Sequence, residues 1–154
     1  MVLNGQVTTR VLAARRDLQI PAVGISGIDA GLIRAHRRPP VLRDDGTPVD
    51  YGFVGDIDSV DADIVVKQLD SGFMPVISPL SCDESGNILN INADTVAAAI
   101  AIELKAEKLI LTSAAPGILE DVDDPQSLIS YIDRAALAKL KAEGKLADGM
   151  LPKA

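Results

Sequence analysis

Pro75-Val-Ile-Ser-Pro-Leu80, Asn90-Ile-Asn-Ala-Asp94 with the alanine-rich run Thr95 to Ala101 behind it, and Lys108-Leu-Ile-Leu-Thr112 together decide the fold. The outer two are short apolar runs of the kind that form buried strands, and the middle one leads into a helix that the spacing predicts over Asp94 to Ala106. Strand, loop, helix and strand in that order make one unit of a parallel α/β sheet. In such sheets ligands collect beyond the carboxyl ends of the strands, and the Asn-rich loop falls on that side. A helix start exposes free backbone N–H groups and a positive dipole end, so Asn90, Asn92 and Asp94 suit an anionic substrate or an orienting carboxylate. The same residue types also cap helices with no chemistry attached.

Toward the N-terminus, Val7 to Leu18 reads as an amphipathic helix ending before Pro21, and Ala22-Val-Gly-Ile-Ser26 as a strand. Gly27 to Arg34 suggests a short helix entered through a glycine, with Gly27 equally suited to a plain turn. Val41 to Arg43 and Pro48 to Phe53 flank Asp44-Asp-Gly-Thr47, whose Asp-Gly pair predicts a tight hairpin. Gly52 and Gly55 either let backbone approach a neighbour closely or mark a bulge that ends the strand, and the bulge is the favoured reading. Asp58 or Ser59 can cap a helix running to Ser71, with Val60, Ile64, Val65 and Leu69 on one stripe and Gly72 as its stop. The alanines of the Asp94 helix imply close approach to another element. Asp133 to Lys145 predicts a helix capped by Asp133 and stopped at Gly144. The expectation is an α/β fold: an open, mostly parallel sheet between helices, with one inserted β-hairpin.

The 154 residues make one domain with one core. A net charge of −7 argues against nucleic acid or an anionic membrane as a general partner. Arg34, His36, Arg37 and Arg38 form a local basic cluster, read as a solvated connection ahead of Pro39 and Pro40. With His36 the only histidine, neither a histidine metal cage nor a Ser-His-Asp triad can be assembled from this chain. One cysteine, Cys82, excludes an internal disulfide and fits a reducing compartment, the cytoplasm being the simplest address. No apolar stretch reaches the ~18 to 20 residues of a membrane span, and no signal peptide is legible at Met1 to Gly5.

Tyr51-Gly-Phe-Val-Gly-Asp-Ile57, Pro75-Val-Ile-Ser-Pro-Leu80, Asn90-Ile-Asn-Ala-Asp94, Pro116-Gly-Ile-Leu119 and Gly149-Met-Leu-Pro-Lys153, in this order and spacing, resemble N-acetylglutamate kinase of the amino acid kinase superfamily. The likeness runs from Asn4 to Lys153. It implies ATP-dependent phosphorylation of the side-chain carboxylate of N-acetyl-L-glutamate in arginine biosynthesis, with ATP and Mg2+ required, no protein metal ligand identified, and a homo-oligomeric full-length protein. By the same likeness Lys153 stabilises the transition state, Asp94 holds the catalytic lysines, and Asn90 binds the acetylglutamate with Asn92 as a supporting neighbour. Ser113, Ala114, Ala115, Pro116, Gly117, Ile118 and Leu119 match one segment lining the nucleotide, and Lys145, Leu146 and Ala147 a second. Acetylglutamate binding is thereby expected over 1–94 and the start of nucleotide binding over 95–154.

Two departures stand out: Ala114 occupies a place where the family commonly has Asp, and Ser81 one where glycine is frequent. The chain resembles an internal portion of such an enzyme, without its first catalytic lysine, glycine-rich phosphate loop or substrate arginine. The fragment alone is therefore expected to be inactive, because catalysis of phosphoryl transfer is mostly alignment and charge neutralisation. The competing readings are a kinase for a related acetylated amino acid such as acetylaminoadipate, and a non-catalytic domain that binds substrate or supports assembly.

Overall fold

A computed structural model of the chain describes residues 2–16, 18–112, 117–121, 124 and 126–143. They fall into two compact units, Met1–Glu107 and Lys108–Ala154. In the first, a π-helical turn Val2–Val7 leads into α1 (Thr8–Arg16), followed by β1 (Ala22–Ser26), a 3-10 turn Asp29–Gly31, β2 (Ile33–Arg37), β3 (Val41–Leu42), β4 (Pro48–Val49), β5 (Gly55–Val60), α2 (Asp63–Asp70), β6 (Met74–Ser78), β7 (Leu80–Cys82), β8 (Ile88–Asn90) and α3 (Ala93–Glu103). The second contains α4 (Arg134–Ala142).

The fold is α/β. β1 and β6 run parallel in register from Ala22↔Met74 to Ser26↔Ser78. β5, β2, β7 and β8 lie side by side in that order, with β2 parallel to β7 and antiparallel to β5, and β7 antiparallel to β8. The inserted hairpin is present as β3 and β4, closed over the Asp-Gly turn.

Gly24 and Val76 are register partners and so share a face. A Cβ on Gly24 would stand 3.1 Å from Leu12 of α1, which places α1 on that face. The neighbouring Ile25 and Ile77 point the other way, into a core of Leu32, Ile33, Ala35, Val65, Leu89, Ile91 and, from α3, Val96 and Ile100. Helices thus cover both faces of the parallel pair, the layering that a Val/Ile/Leu-rich parallel ladder requires.

Several elements differ from the sequence expectation. The helix expected from Asp58 begins at Asp63, because 55–60 pairs with β2 as a strand. Its N-cap, Ala62, makes no side-chain bond, while Gly72 ends it at φ +79° as expected. The basic cluster is no loose connection: it lies on and just after β2, and the side chains of His36, Arg37 and Arg38 bind acids of the neighbouring segments. Ile33 and Arg34 join β2, so the helical turn expected over Gly27 to Arg34 is confined to three residues. Lys108 to Thr112 forms no strand, with Ile110 82% exposed. A strand exists through its ladder, and among the described residues none pairs with 108–112.

The glycines also resolve. Gly52 takes φ +70° in an open turn, whereas a Cβ on Gly55 would come within 2.9 Å of Leu89 Cβ, so Gly55 serves close packing rather than a bulge. Gly27 is equally crowded, its Cβ position lying 2.6 Å from the Leu80 carbonyl oxygen. Ser81, fully buried, donates its hydroxyl to the Ile33 carbonyl at 2.5 Å and so tolerates burial where a smaller residue would also fit.

Candidate functional site

The Asn90–Asp94 corner is built by alternation. Leu89 and Ile91 are buried at 0% and 3% and press on Gly55, so Asn90 between them turns its side chain outward. Its backbone is fixed from a second direction, for the Asn90 N–H donates to the Phe53 carbonyl at 2.8 Å and Val54 bridges to Asn90. The Ile91 N–H donates to the Pro79 carbonyl at 3.0 Å, just past the last residue of β6. The corner therefore stands beyond the carboxyl end of a parallel strand.

Asn92 is the N-cap of α3, its Oδ1 accepting from the Thr95 N–H at 3.0 Å and from the Thr95 hydroxyl at 3.3 Å. The capping reading of Asn92 is thus fulfilled, and its amide NH2 is the part able to meet a further acceptor. Asp94 is half-buried in the first helical turn, where its negative charge suits the dipole. The alanines of α3 do not produce the close contact expected of them throughout: Ala93, Val96, Ala97 and Ile100 line an apolar cleft of 220 Å³ with Pro75, Ile77 and Pro79.

Next to Asn90 lies a charged frame that the sequence did not reveal. Arg37 donates through Nε to the Gly52 carbonyl at 2.7 Å and through Nη2 to both oxygens of Asp50 at 3.0 and 2.7 Å, and its guanidinium lies 5.4 Å from the centroid of the Phe53 ring. The Gly52 N–H donates to Asp50 Oδ1, and this bond, followed by that from Arg37, holds the Asp50 carboxyl below its ordinary value. Arg38 grips Asp56 through Nε and Nη2, which lowers the Asp56 carboxyl and raises the guanidinium. His36 Nδ1 lies 2.6 Å from Asp58 Oδ1. The one available signal was the glycine-aromatic string Tyr51-Gly-Phe53; nothing in spacing announces which acid an arginine on a strand will choose.

In the second unit, Gly117 has φ +151°, and a Cβ there would meet Leu128 at 2.7 Å. Ile118 accepts at its carbonyl from the Ile129 N–H at 2.8 Å, and Leu119 bridges to Leu128. A cleft of 490 Å³ in this unit is lined by Glu120, Tyr131 and Asp133 with the α4 residues Ala136, Lys139 and Leu140. Asp133 caps α4 as expected, accepting from the Ala136 N–H at 2.8 Å. Lys153, Ser113, Ala114, Ala115, Pro116, Lys145, Leu146 and Ala147 lie outside the described residues.

Among the described residues no three His, Cys, Asp or Glu side chains gather to hold a metal ion. No helix among them is long and apolar enough to cross a membrane.

Known proteins resemble this chain over its whole length. It is 46% identical to the acetylglutamate kinase of Myxococcus xanthus (strain DK1622), over 100% of this chain and 52% of that protein. It is 43% identical to the acetylglutamate kinase of Methanopyrus kandleri, over 99% of this chain and 61% of that one. The chain therefore spans about half to three-fifths of the length of these relatives. Among solved structures, smu.665 from Streptococcus mutans UA159 superposes with a TM-score of 0.80 at 24% identity, covering 99% of this chain and 57% of that one, which bears on the fold alone. N-acetylglutamate synthase from Neisseria gonorrhoeae, complexed with coenzyme A and N-acetyl-glutamate, superposes with a TM-score of 0.68 at 25% identity over 96% of this chain and 31% of that one. The family model of the amino acid kinase family matches residues 1–154, and the chain belongs to that family.

Proposed function

We propose that the full-length protein containing this chain is an acetylglutamate kinase that transfers the γ-phosphoryl group of ATP to the side-chain carboxylate of N-acetyl-L-glutamate. The observation that carries the reading is the polar corner Asn90, Asn92 and Asp94 at the start of α3, in a chain 46% identical to an acetylglutamate kinase. In the transfer, the bond between the γ-phosphorus and the bridging oxygen breaks, a bond from a substrate carboxylate oxygen to that phosphorus forms, and ADP leaves with the electron pair.

Asn90, turned outward, binds the acetylglutamate, and the Asn92 amide supports it while its carbonyl caps the helix. Asp94 holds the lysines that face the phosphates, and Lys153 stabilises the charge spread over the moving phosphoryl group. Ser113 to Leu119 and Lys145 to Ala147 line the nucleotide, which divides the chain into an acetylglutamate-binding part over 1–94 and the start of the nucleotide-binding part beyond it. Magnesium enters with the nucleotide, the enzyme is a homo-oligomer, and it works in the cytoplasm.

The test is ATP-dependent formation of acetylglutamyl phosphate by the full-length gene product, trapped as the hydroxamate. Lys153→Ala lowers kcat by roughly 100-fold or more, as loss of one preorganised charge-stabilising donor does. Asn90→Ala raises KM for acetylglutamate and leaves that for ATP in place. Turnover of acetylaminoadipate in preference to acetylglutamate moves the substrate assignment, and no phosphorylation of either sinks the kinase reading.

A further inference from the structure

We propose that Arg37 is a positioning residue for Asn90, acting through the Asp50–Phe53 loop; this rests on the reading of Asn90 as the acetylglutamate-binding residue. Two consecutive carbonyls of the loop are used in opposite directions. The Gly52 carbonyl accepts from Arg37 Nε at 2.7 Å, and the next one, of Phe53, accepts from the Asn90 N–H at 2.8 Å. Whatever fixes the first fixes the plane of the peptide unit adjoining the second.

The rest of the loop is held from the same guanidinium. Arg37 Nη2 reaches both Asp50 oxygens, Asp50 in turn accepts from the Gly52 N–H at 2.8 Å, and the Phe53 ring stands under the charge. Gly52, at φ +70°, has open space where a Cβ would stand. Phe53 is 59% exposed, so its ring is fixed by the cation beside it rather than by a core. Of the neighbouring cations, His36 reaches Asp58 and Arg38 reaches Asp56 on β5, while the Arg38 guanidinium also lies 6.0 Å from the Tyr51 ring centroid and its backbone N–H donates to the Val54 carbonyl at 2.8 Å. Arg37 places its side-chain hydrogen bonds on the loop itself, at Gly52 and Asp50.

On the other side, Leu89 and Ile91 against Gly55 set the distance between β8 and β5. Apolar packing thus fixes where the Asn90 backbone lies, and the Arg37 clamp fixes the acceptor that orients its peptide plane. A planar fork with several donors is needed for this, since Gly52 and Asp50 are engaged at once.

The experiment uses the full-length gene product and the variants Arg37→Ala and Arg37→Lys, with two readouts. Amide hydrogen exchange at Asn90 reports the clamp without any substrate, and equilibrium binding of acetylglutamate reports its use. Arg37→Ala is expected to speed exchange at Asn90 about tenfold and to weaken acetylglutamate about tenfold, the size of one lost charge-assisted contact, with KM for ATP and Tm nearly unchanged. Arg37→Lys, which keeps the charge and not the fork, falls between. Unchanged exchange at Asn90 overturns the proposal, as does faster exchange with acetylglutamate affinity intact, or a parallel rise of both KM values with a fall in Tm. A native protein that binds no acetylglutamate, while Arg37→Ala still speeds exchange, overturns the substrate reading and leaves the clamp established.

Discussion

The Asn92 side chain accepts the backbone N–H of Thr95 at 3.0 Å and so closes the first turn of α3. Replacing it with Ala leaves that donor to water and is expected to cost about 1 kcal/mol, while Asn92→Asp retains the acceptor and costs far less. Urea unfolding of the two variants checks this. Equal losses would mean that the cap carries no stability. Acetylglutamate affinity in Asn92→Asp then reports the amide NH2 separately from the cap.

Gly27 stands where a Cβ would lie 2.6 Å from the Leu80 carbonyl oxygen and 2.8 Å from Ile33 Cδ1. The carbonyl belongs to backbone and cannot swing aside. Gly27→Ala is therefore expected to destabilise by about 1–3 kcal/mol through overpacking. Gly46→Ala provides the contrast, since its cost comes from φ +78° with no atom in the way. A Gly27→Ala protein with native Tm contradicts the packing.

The Arg38 guanidinium holds the Asp56 carboxyl below its ordinary value, mainly through its hydrogen bonds. A folded-state value lower than the unfolded one stabilises above the unfolded carboxylate value near ~4, and that stability is lost as pH falls through the folded value. The raised Arg38 group titrates far above this window and adds nothing to it. With side chains 38% and 37% exposed, the pair is worth about 1 kcal/mol or less at pH 7. Comparing wild type with Asp56→Asn by denaturant unfolding, the gap should narrow on acidification below pH ~4. A gap that widens there reverses the assignment.

Ala114 stands where the resembling family commonly carries Asp. Restoring it, Ala114→Asp, is expected to lower KM for ATP by about two- to tenfold, the value of one recovered polar contact, with KM for acetylglutamate unmoved. Steady-state kinetics on the full-length protein decides it; an unchanged KM for ATP means that the contact is supplied elsewhere.

Apolar runs made β1, β6 and the entry to α3 legible, and turn chemistry made the β3/β4 hairpin legible. β2 and β5 were hidden because their exposed face is held by Arg38–Asp56 and His36–Asp58 rather than by burial, so their sequences read as a basic connection and a helix cap. Their register also shifts between Arg34 and Ala35, which breaks the alternation a reader would count. Lys108 to Thr112 failed in the opposite sense: its composition suits a strand, but a strand is a relation between two segments. Asn90, Asn92 and Asp94 were readable because a helix entrance is a local feature. The Arg37 frame was not, since it joins residues 37, 50 and 52 across a hairpin whose exact return no spacing rule gives.

The parallel pairing of Ala22 with Met74 also sets an order in time. Its partners are separated by about fifty residues of chain, and the antiparallel pairs β3/β4 and β2/β5 lie inside that span, so they can close first and shorten the search for the outer ladder. Pulse-labelled hydrogen exchange during refolding should then protect the Ile57 amide before that of Ile77; simultaneous protection would contradict the order. Pro79, whose carbonyl anchors Ile91, directly follows this late-closing ladder, so the corner that carries Asn90 is expected to be completed only once that ladder has formed.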